Sequence, residues 1–446
     1  MVLRSMGTLR QRLLDGLFAV AYEGGYTASN VSAVIAEAAV SRPTFYDFFA
    51  DRDDCFVATI AYASERLMEA VAAALEDRPA AEALGATVEA VVAFASAEPA
   101  VARFLMSESM TGGPRALDAR DDSLRRLAAL VLEAQSGLGP EESVADVELG
   151  VLLGGMFRVL ATRLRRGEPA ISRVADDLLA WVASYARPAS ELRWGGLEPA
   201  PRAPRSPHVP DVPIQEMPSA LPQGRPRLTE EQIAENHRLR ILYATARMAE
   251  RKGYSATTVS DISELAKLDK HVFYRLFSDK QDAFMSVHEL GFQQVMEVTS
   301  SAFFSVSGWP ERSWEGGRAL TGLLEANPLV AHVGFVEAHA VGPGAVQRIE
   351  DSHVAFMFFL QEGLVYRRQE APPSRIAMEA IITTIFEIVY RQSRLAGTPD
   401  VAPMLPHIAH IWLTPFLGSE DADAFIDGRS AAPAAKRRRR RAPART

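Results

Sequence analysis

At 446 residues the chain is long enough for about two to four domains, and its 48% hydrophobic and 23% charged residues are typical of a globular protein rather than a disordered or fibrous one. The net charge of −8 argues weakly against an extended coat of nucleic acid, and the single cysteine, Cys55, excludes an internal disulfide. Without a recognisable secretion signal or an apolar run of about 18 residues, we expect a cytoplasmic protein with no membrane partner.

The N-terminal segment has the spacing of a helix-turn-helix. A long helix is predicted over about residues 8–22, with Gly24 and Gly25 as its C-terminal stop. A short helix follows from the N-cap Asn30, and after a tight turn a second short helix begins at Ser41. This second helix presents Ser41, Arg42, Pro43, Thr44 and Tyr46.

The clearest boundary lies between residues 187 and 227, where ten prolines interrupt any helical pattern. Such a segment is expected to be an extended, proline-rich linker that separates two folded bodies. On both sides the apolar residues follow a helical period, with no convincing alternation of apolar and polar positions. The predicted fold class is therefore all-α.

The two sides of this linker are copies of each other. Gly25 aligns with Gly253, an offset of 228 (253 − 25), and no gap is needed for the next 31 positions. Matching apolar and turn residues indicate duplication rather than shared composition. Identical pairs are Gly25/Gly253, Tyr26/Tyr254, Ala28/Ala256, Val31/Val259, Ser32/Ser260, Ala38/Ala266, Phe45/Phe273, Tyr46/Tyr274, Phe49/Phe277, Asp51/Asp279, Asp54/Asp282 and Phe56/Phe284.

The second copy repeats the helix-turn-helix with different residues on its second helix. Thr258 is the predicted N-cap of the first short helix, and Asp261 could complete a capping box with it. The second short helix begins at Asp269 and presents Asp269, Lys270, His271, Val272 and Tyr274.

The duplication continues into the helical bodies at an offset of 229. Glu108 aligns with Glu337, and Gly113-Pro114 aligns with Gly342-Pro343. Broad apolar stripes recur at residues 151–160 and 381–390, and a final helix follows each stripe, at about residues 171–186 and 401–417. Each copy therefore offers a late helix pair, and we expect the two pairs to pack as an intramolecular pseudo-dimer.

The segments around Ser41-Arg42-Pro43-Thr44-Phe45-Tyr46 and Asp269-Lys270-His271-Val272-Phe273-Tyr274 resemble the DNA-binding head of TetR-type regulators. The resemblance implies that a tyrosine and the basic residue opening the next helix hold phosphates, which are Tyr46 with Arg52 and Tyr274 with Lys280. A phenol and a cation at a helix N-terminus can fix how deeply the recognition helix enters the major groove. Base contacts would then fall to Arg42, Thr44, Lys270 and His271.

Three features depart from that pattern. The family usually has glycine in the turn, where this chain has Ala39 and Lys267, so a left-handed turn would cost about 1 to 2 kcal/mol unless the turn differs. The small hydroxyl residue Thr44 is replaced by Val272 in the second copy. The first head is net acidic and the second is balanced, so we expect the second head to contribute more DNA affinity.

The resemblance also implies that each body is a helical bundle with a pocket for a small, apolar effector. The second body is richer in candidate pocket residues; taken singly, each of them is better explained as an ordinary core residue, but a pocket is expected among them. The candidates are His332, Phe335, His339, Phe356, Phe359 and Met378. No cofactor is expected.

An enzymatic function is the weaker interpretation. His332, Glu337, His339 and the pair His407/His410 could supply catalysis or metal ligation, but no known motif surrounds them. Helical surface or core histidines explain these residues better, so we predict no catalytic or metal site.

The expected order is a first head (8–56), a first body (57–186), the linker (187–227), a second head (228–284), a second body (285–418) and a disordered basic tail (419–446). The function predicted is a sequence-specific DNA-binding regulator, more specifically a repressor, whose binding to a double-stranded operator responds to the effector. A homodimer of chains with four heads remains open. The alternative function is a ligand-binding or protein-interaction module in which one or both heads have lost DNA binding.

Overall fold

The structure, a computed structural model, describes residues 2–198, 214–221, 228–366, 373–395 and 400–430, with side chains from residue 8 onward except Thr27. Within these ranges it contains nineteen α-helices and a single two-stranded sheet, so the all-α prediction is confirmed. The basic run at residues 436–441 lies outside the described residues.

The first unit is a three-helix head followed by a body of six helices. A short antiparallel pair of strands, β1 (Ser143–Ala145) and β2 (Ala186–Pro188), closes this body. The helices are α1 (Val2–Ala28), α2 (Val31–Glu37), α3 (Arg42–Phe48), α4 (Arg52–Leu75), α5 (Ala83–Ala97), α6 (Pro99–Met106), α7 (Pro114–Ala134), α8 (Leu149–Arg166) and α9 (Ala175–Ala183).

The second unit repeats this order and adds one helix at its end. A π-helical turn, Val333–Glu337, follows α15. The helices are α10 (Glu230–Lys252), α11 (Val259–Ala266), α12 (Lys270–Leu276), α13 (Lys280–Phe303), α14 (Trp309–Ala326), α15 (Pro328–His332), α16 (Pro343–Gln361), α17 (Arg375–Arg394), α18 (Leu405–Leu417) and α19 (Ser419–Ser430).

The first helix is longer than the sequence predicted, since α1 begins at Val2 rather than near residue 8. Its regular part ends where expected, because Gly25 has a non-helical backbone (φ 68°, ψ −172°). Gly253 ends α10 in the same way, with φ 81°. Only glycine adopts such angles without steric cost, so both heads turn away from their first helix at the same aligned position.

One stretch of the described chain, residues 80–97, is by length and composition apolar enough to cross a membrane (mean hydropathy 1.4 over 18 residues). It contains Glu82 and Glu89, so it is not the uninterrupted apolar run whose absence was expected. In the fold, 56% of this window is buried, mostly as the core helix α5, and a core helix has the same composition as a membrane span.

The two bodies pack against each other through α8 and α9 of the first unit and α17 and α18 of the second. The predicted apolar stripes form this contact: Val151, Val159 and Leu160 are fully buried on α8, and Ile381 is fully buried on α17. Near the far end of the contact, the Tyr185 hydroxyl donates a hydrogen bond to the Ile411 carbonyl at 2.8 Å. One continuous apolar core runs through both units.

Parts of the predicted linker and tail pack on the folded bodies. Residues 186–198 form β2 and a 3₁₀ turn (Ala189–Glu191) and include buried Trp194, and Ile214 is fully buried directly after residues 199–213, which lie outside the described residues. Helix α19 lies within the range expected to be a disordered tail, and it packs on α18. Residues 199–213 and 222–227 of the predicted linker lie outside the described residues, so its extended conformation stays a prediction.

Candidate nucleic-acid interface and body cavities

In the first head, α3 is held by its apolar face and turns its polar residues outward. Phe45 is fully buried and Phe49 nearly so, while Tyr46 is 51% exposed, as predicted from its place beside the core phenylalanine. Arg42 is exposed and its guanidinium donates to the Ser32 hydroxyl at 3.0 Å. The outward face of α3 therefore carries one cation and one phenol.

In the second head, α12 has the same geometry and a more basic surface. Phe273 is fully buried, Tyr274 is 57% exposed, and Lys270 and His271 are exposed at the start of the helix. Arg275, exposed directly after Tyr274, adds a cation that the sequence analysis did not single out. The aligned residue in the first head is Asp47. Comparing these two positions in the sequence would have revealed that the charge is opposite in the two heads.

The predicted cap residues stabilise the ends of the short helices. Asn30 accepts a hydrogen bond from the Ala33 amide at 3.0 Å, and Ser41 accepts one from the Thr44 amide at 3.2 Å. The Ser41 and Thr44 hydroxyls also lie 2.7 Å apart. These side chains orient the helix that faces outward, and any contact they make with DNA would compete with these bonds.

Thr258 and Asp261 form the predicted capping box at the start of α11. The hydrogen bond from Lys252, followed by those from Thr258, lowers the pKa of Asp261 to about 2. Asp269 precedes α12 as its N-cap residue, but its side chain makes no capping hydrogen bond. The second recognition helix is thus less tightly capped than the first.

The basic residues that open the fourth helix of each unit are bonded inside the heads. Arg52 donates to Asp53 at 3.0 Å and to the Tyr26 hydroxyl, and it lies 4.1 Å from the centre of the Tyr26 ring. Phosphate contact by Arg52, predicted from the family resemblance, would have to be made from this bonded position.

Lys280 is bonded in the same manner, at the aligned position. Its ammonium group donates to the carbonyls of Tyr254 (3.0 Å), Ser255 (3.3 Å) and Thr257 (2.9 Å), which uses all three of its donors. Burial, with a smaller contribution from Lys252, lowers the pKa of Lys280. In this conformation Lys280 fixes the loop before α11, and a phosphate would have to displace a carbonyl to reach it.

The turn between the two short helices is left-handed in both heads, which is one of the two alternatives that the departure from glycine left open. Ala39 has φ 49° and Lys267 has φ 52°. Two aligned arginines hold the turn: Arg12 donates to the Ala39 carbonyl at 2.9 Å, and Arg240 donates to the Ala266 carbonyl at 2.6 Å. These bonds help to hold a backbone conformation that costs about 1 to 2 kcal/mol for a residue with a Cβ.

A buried glutamate from each body contacts the corner where its head turns. Glu337, at the end of the π-helical turn, accepts a hydrogen bond from the Tyr254 amide at 2.6 Å. Glu108, its aligned counterpart, accepts one from the Tyr26 amide, and burial raises the pKa of this carboxyl. The two bonds are the same head-to-body link made twice, and the sequence analysis noted the Glu108/Glu337 match without assigning it this role.

The predicted pocket residues fall into two groups. Phe335, Phe356 and Phe359 do line cavities in the second body. One cavity, of about 40 Å³, lies between α13, the π-helical turn and α16, and a second, of about 50 Å³, lies between α14, α16 and α17. Phe356 and Phe386 border both cavities. Movement of these two rings would join the spaces.

The other three predicted pocket residues lie elsewhere. His332 pairs with Glu337 at 3.4 Å, and Met378 is buried on α17 outside these cavities. His339 borders a larger cleft of about 330 Å³ between the two units, which Glu23, Arg165 and Glu350 also line. The polar lining of this cleft does not suit the apolar ligand that was expected.

The histidines weighed as catalytic or metal-binding residues are packed against neighbours. His410 stacks on Trp194 with ring centres 5.2 Å apart, and His407 lies 2.9 Å from the Glu198 carbonyl. Among the described residues, no group of three or more His, Cys, Asp or Glu side chains is placed to hold a metal ion.

Comparison with known proteins identifies the two heads. Residues 13–59 and 241–286 each match the family described as bacterial regulatory proteins, tetR family. Among curated proteins, none matches the chain.

Three solved structures resemble part of the chain. A TetR family transcription regulator from Marinobacter aquaeolei VT8 is 20% identical, with a TM-score of 0.33, 43% of this chain and 97% of that chain being covered. The fatty acid degradation regulator FadR from Bacillus halodurans is 17% identical (TM-score 0.32; 44% and 98% covered). A putative TetR-family transcriptional regulator from Syntrophomonas wolfei str. Goettingen is also 17% identical (TM-score 0.31; 44% and 93% covered).

Proposed function

Because the chain belongs to the tetR family of bacterial regulatory proteins and carries that family's DNA-binding head twice, we propose that it is a transcriptional repressor that grips one operator with two unlike recognition helices. The observation that carries this proposal is the pair of outward faces on α3 and α12, each with an exposed tyrosine beside a buried phenylalanine. The protein would act in the cytoplasm, where its DNA is.

The two heads would read different half-sites. On α3 the candidates for base contact are Arg42 and Thr44, and on α12 they are Lys270 and His271. Since one chain supplies both heads, a single molecule would cover an operator whose half-sites lie about 34 to 36 Å apart, or a multiple of that distance. Footprinting should therefore show two non-identical half-sites, whereas two identical ones would contradict this arrangement.

The second head would supply more of the affinity. It exposes Lys270, His271 and Arg275 around Tyr274, while the first head places acidic Asp47 beside Tyr46. Each phosphate neutralised by a cation releases counterions, so cationic side chains set both the affinity and its salt dependence.

Substitution on α12 tests the DNA-binding part of the proposal. Genomic fragments selected by the purified protein provide the operator, and binding is measured by fluorescence anisotropy at several salt concentrations. Arg275→Ala should weaken binding and reduce the slope of log K against log salt by about 1 if Arg275, which is exposed on α12, neutralises one phosphate. Arg125→Ala, which removes an exposed cation from α7 of the body, is the matched control and should leave both quantities unchanged.

Tyr274→Phe removes only the hydroxyl and should weaken binding about fivefold, corresponding to one hydrogen bond of about 1 kcal/mol. If no duplex is selected at low ionic strength, or if the α12 variants bind like the control, the heads do not act on DNA. The alternative, a ligand-binding module, would then account for the chain better.

We further propose that a small apolar effector releases the DNA by entering the second body between Phe356 and Phe386. The cavities on the two sides of these rings are mostly apolar, and the first of them is lined by Val333, Gly334 and Phe335 of the π-helical turn that ends in Glu337. An effector must bind the released state more tightly than the DNA-bound state to have this effect.

Apolar compounds that raise the melting temperature can be screened first and then tested for DNA release. Ser352→Leu places side-chain atoms in the first cavity and should abolish the response while the free protein still binds DNA. A response that survives this variant would place the effector elsewhere.

A further inference from the structure

The contact between the two bodies brings aligned positions of the duplicated sequence against each other. Arg158 donates to Glu387 at 3.1 Å, and these residues are 229 positions apart, the offset that relates the two bodies. In a dimer of identical units, a residue at the position of Arg158 or Glu387, near the twofold axis, would contact the same residue of the other unit. The differences between aligned residues at this axis therefore determine which units can pair.

The aligned residues at the axis carry opposite charges. Glu387 is fully buried and accepts two hydrogen bonds from Arg120, at 2.7 and 2.8 Å, in addition to the one from Arg158. If two first units paired, two copies of Arg158 and two of Arg120 would meet with no glutamate between them. If two second units paired, two buried Glu387 side chains would meet, and the position of Arg120 would be taken by Ile349. Within its own unit Glu387 would keep only Arg391, at 3.5 Å, and Arg120 would keep only Asp121, at 3.0 Å. Removing the partner that the other unit supplies to a buried charge costs several kcal/mol.

The shapes at the axis are also complementary. A Cβ on Gly155 would lie 2.0 Å from the hydroxyl of Thr384 and 2.9 Å from its backbone nitrogen, so α8 and α17 approach closely only because residue 155 is glycine. Thr384 is the aligned counterpart of Gly155. Two second units would press threonine against threonine here, and two first units would leave a gap between glycines.

Further from the axis the ion pairs keep the symmetry of the duplication. Arg165 lies 2.6 Å from Glu350, and the aligned pair, Arg394 with Asp121, is separated by 3.5 Å. These two pairs could form whichever units met. The asymmetry is therefore concentrated at the centre of the contact.

We propose that this centre selects the pairing of a first unit with a second unit and excludes both like pairings. The partner that fits each body is the opposite half of the same sequence, supplied by the same chain or, through exchange, by a second chain. The proposal concerns the pairing of the halves and does not depend on whether the heads bind DNA.

The test uses the full chain with a protease site inserted between residues 199 and 213, cleaved after folding. Native mass spectrometry of a mixture of isotopically labelled and unlabelled cleaved protein distinguishes every combination of halves. We expect exchange to yield only species with one first and one second half. Like pairs in statistical proportion would overturn the proposal.

Two variants separate charge from shape. Replacing Arg120, Arg158 and Glu387 together with methionine removes the unlike charges at similar volume, so pairs of first halves should appear after exchange. Thr384→Gly removes the steric conflict, so pairs of second halves should increase. Arg165→Gln is the control, since it should loosen association without changing which halves pair. If both axis variants remain restricted to unlike pairs, the axis is not the selector.

Discussion

Removing Glu337 should free the second head from its body. The carboxylate of Glu337 accepts the Tyr254 amide hydrogen bond at 2.6 Å, and its side chain is nearly buried. In Glu337→Ala the amide at the head's corner loses its acceptor, while the Gly253 turn and the helices on either side of it remain.

The expected size follows from the kind of bond. A hydrogen bond to a charged acceptor contributes about 1.5 to 3 kcal/mol, and about 1.4 kcal/mol corresponds to a tenfold change in an equilibrium. Local opening at Tyr254 should therefore become about 10- to 100-fold more populated in Glu337→Ala. Glu337→Gln keeps an oxygen acceptor but loses the charge, so its effect should be intermediate.

Hydrogen exchange of the peptide that contains Tyr254 measures this opening directly. Protection should fall in the order wild type, Glu337→Gln, Glu337→Ala, while the exchange of peptides from α2 and α3 in the first head stays unchanged. If all three proteins exchange alike at Tyr254, the bond does not hold the head, and the link between body and head must be sought elsewhere.

Three further outcomes test the fold. Ala39→Gly and Lys267→Gly should each stabilise their head by about 0.5 to 1 kcal/mol. The substitution relieves about 1 to 2 kcal/mol of left-handed backbone strain, which outweighs the extra chain entropy that glycine loses on folding. Chemical denaturation should therefore show a higher midpoint for each variant. Asp261 has a pKa of about 2 in the fold against 3.8 in the unfolded chain, so it stabilises the second head above about pH 4. This stabilisation should disappear as the pH falls through about 2. Circular dichroism can follow the loss, with Asp261→Asn as the comparison. Gly155→Ala should lower the melting temperature because the added Cβ meets α17. Gly344→Ala is the control and should leave the melting temperature unchanged, since the space around residue 344 is open. Equal melting temperatures for the two variants would contradict the close approach at the axis.

The duplication made much of the fold predictable. Paired apolar positions such as Phe45/Phe273 fixed the helical faces, and the outward direction of Tyr46 and Tyr274 followed from their place after these residues. At Ala39 and Lys267 the sequence left open whether the turn is left-handed, and the backbone angles show that it is. Such features depend on neighbours a few positions apart, which the sequence displays.

The candidate site was less predictable wherever a side chain finds a distant partner. Lys280 resembled a free cation at a helix start, yet it is bonded to three carbonyls more than twenty positions earlier. His339 was predicted to line the effector pocket, but it lies in the 3₁₀ turn Ala338–Val341 and borders the cleft between the units. Pairings of this kind depend on how helices cross, which periodicity does not specify.

The contact between Trp194 and α19 determines where this protein can be truncated without exposing buried surface. The Trp194 indole donates to Asp423 of α19 at 2.9 Å, and Arg187 of β2 reaches the same carboxylate at 2.6 Å. The edge of the first body is thus completed by a residue that lies 229 positions after Trp194 and 236 after Arg187 in the chain. A protein that stops at residue 186 would lack Arg187 and Trp194, and one that stops at residue 418 would lack Asp423, so each truncated protein would expose a surface that the whole chain buries.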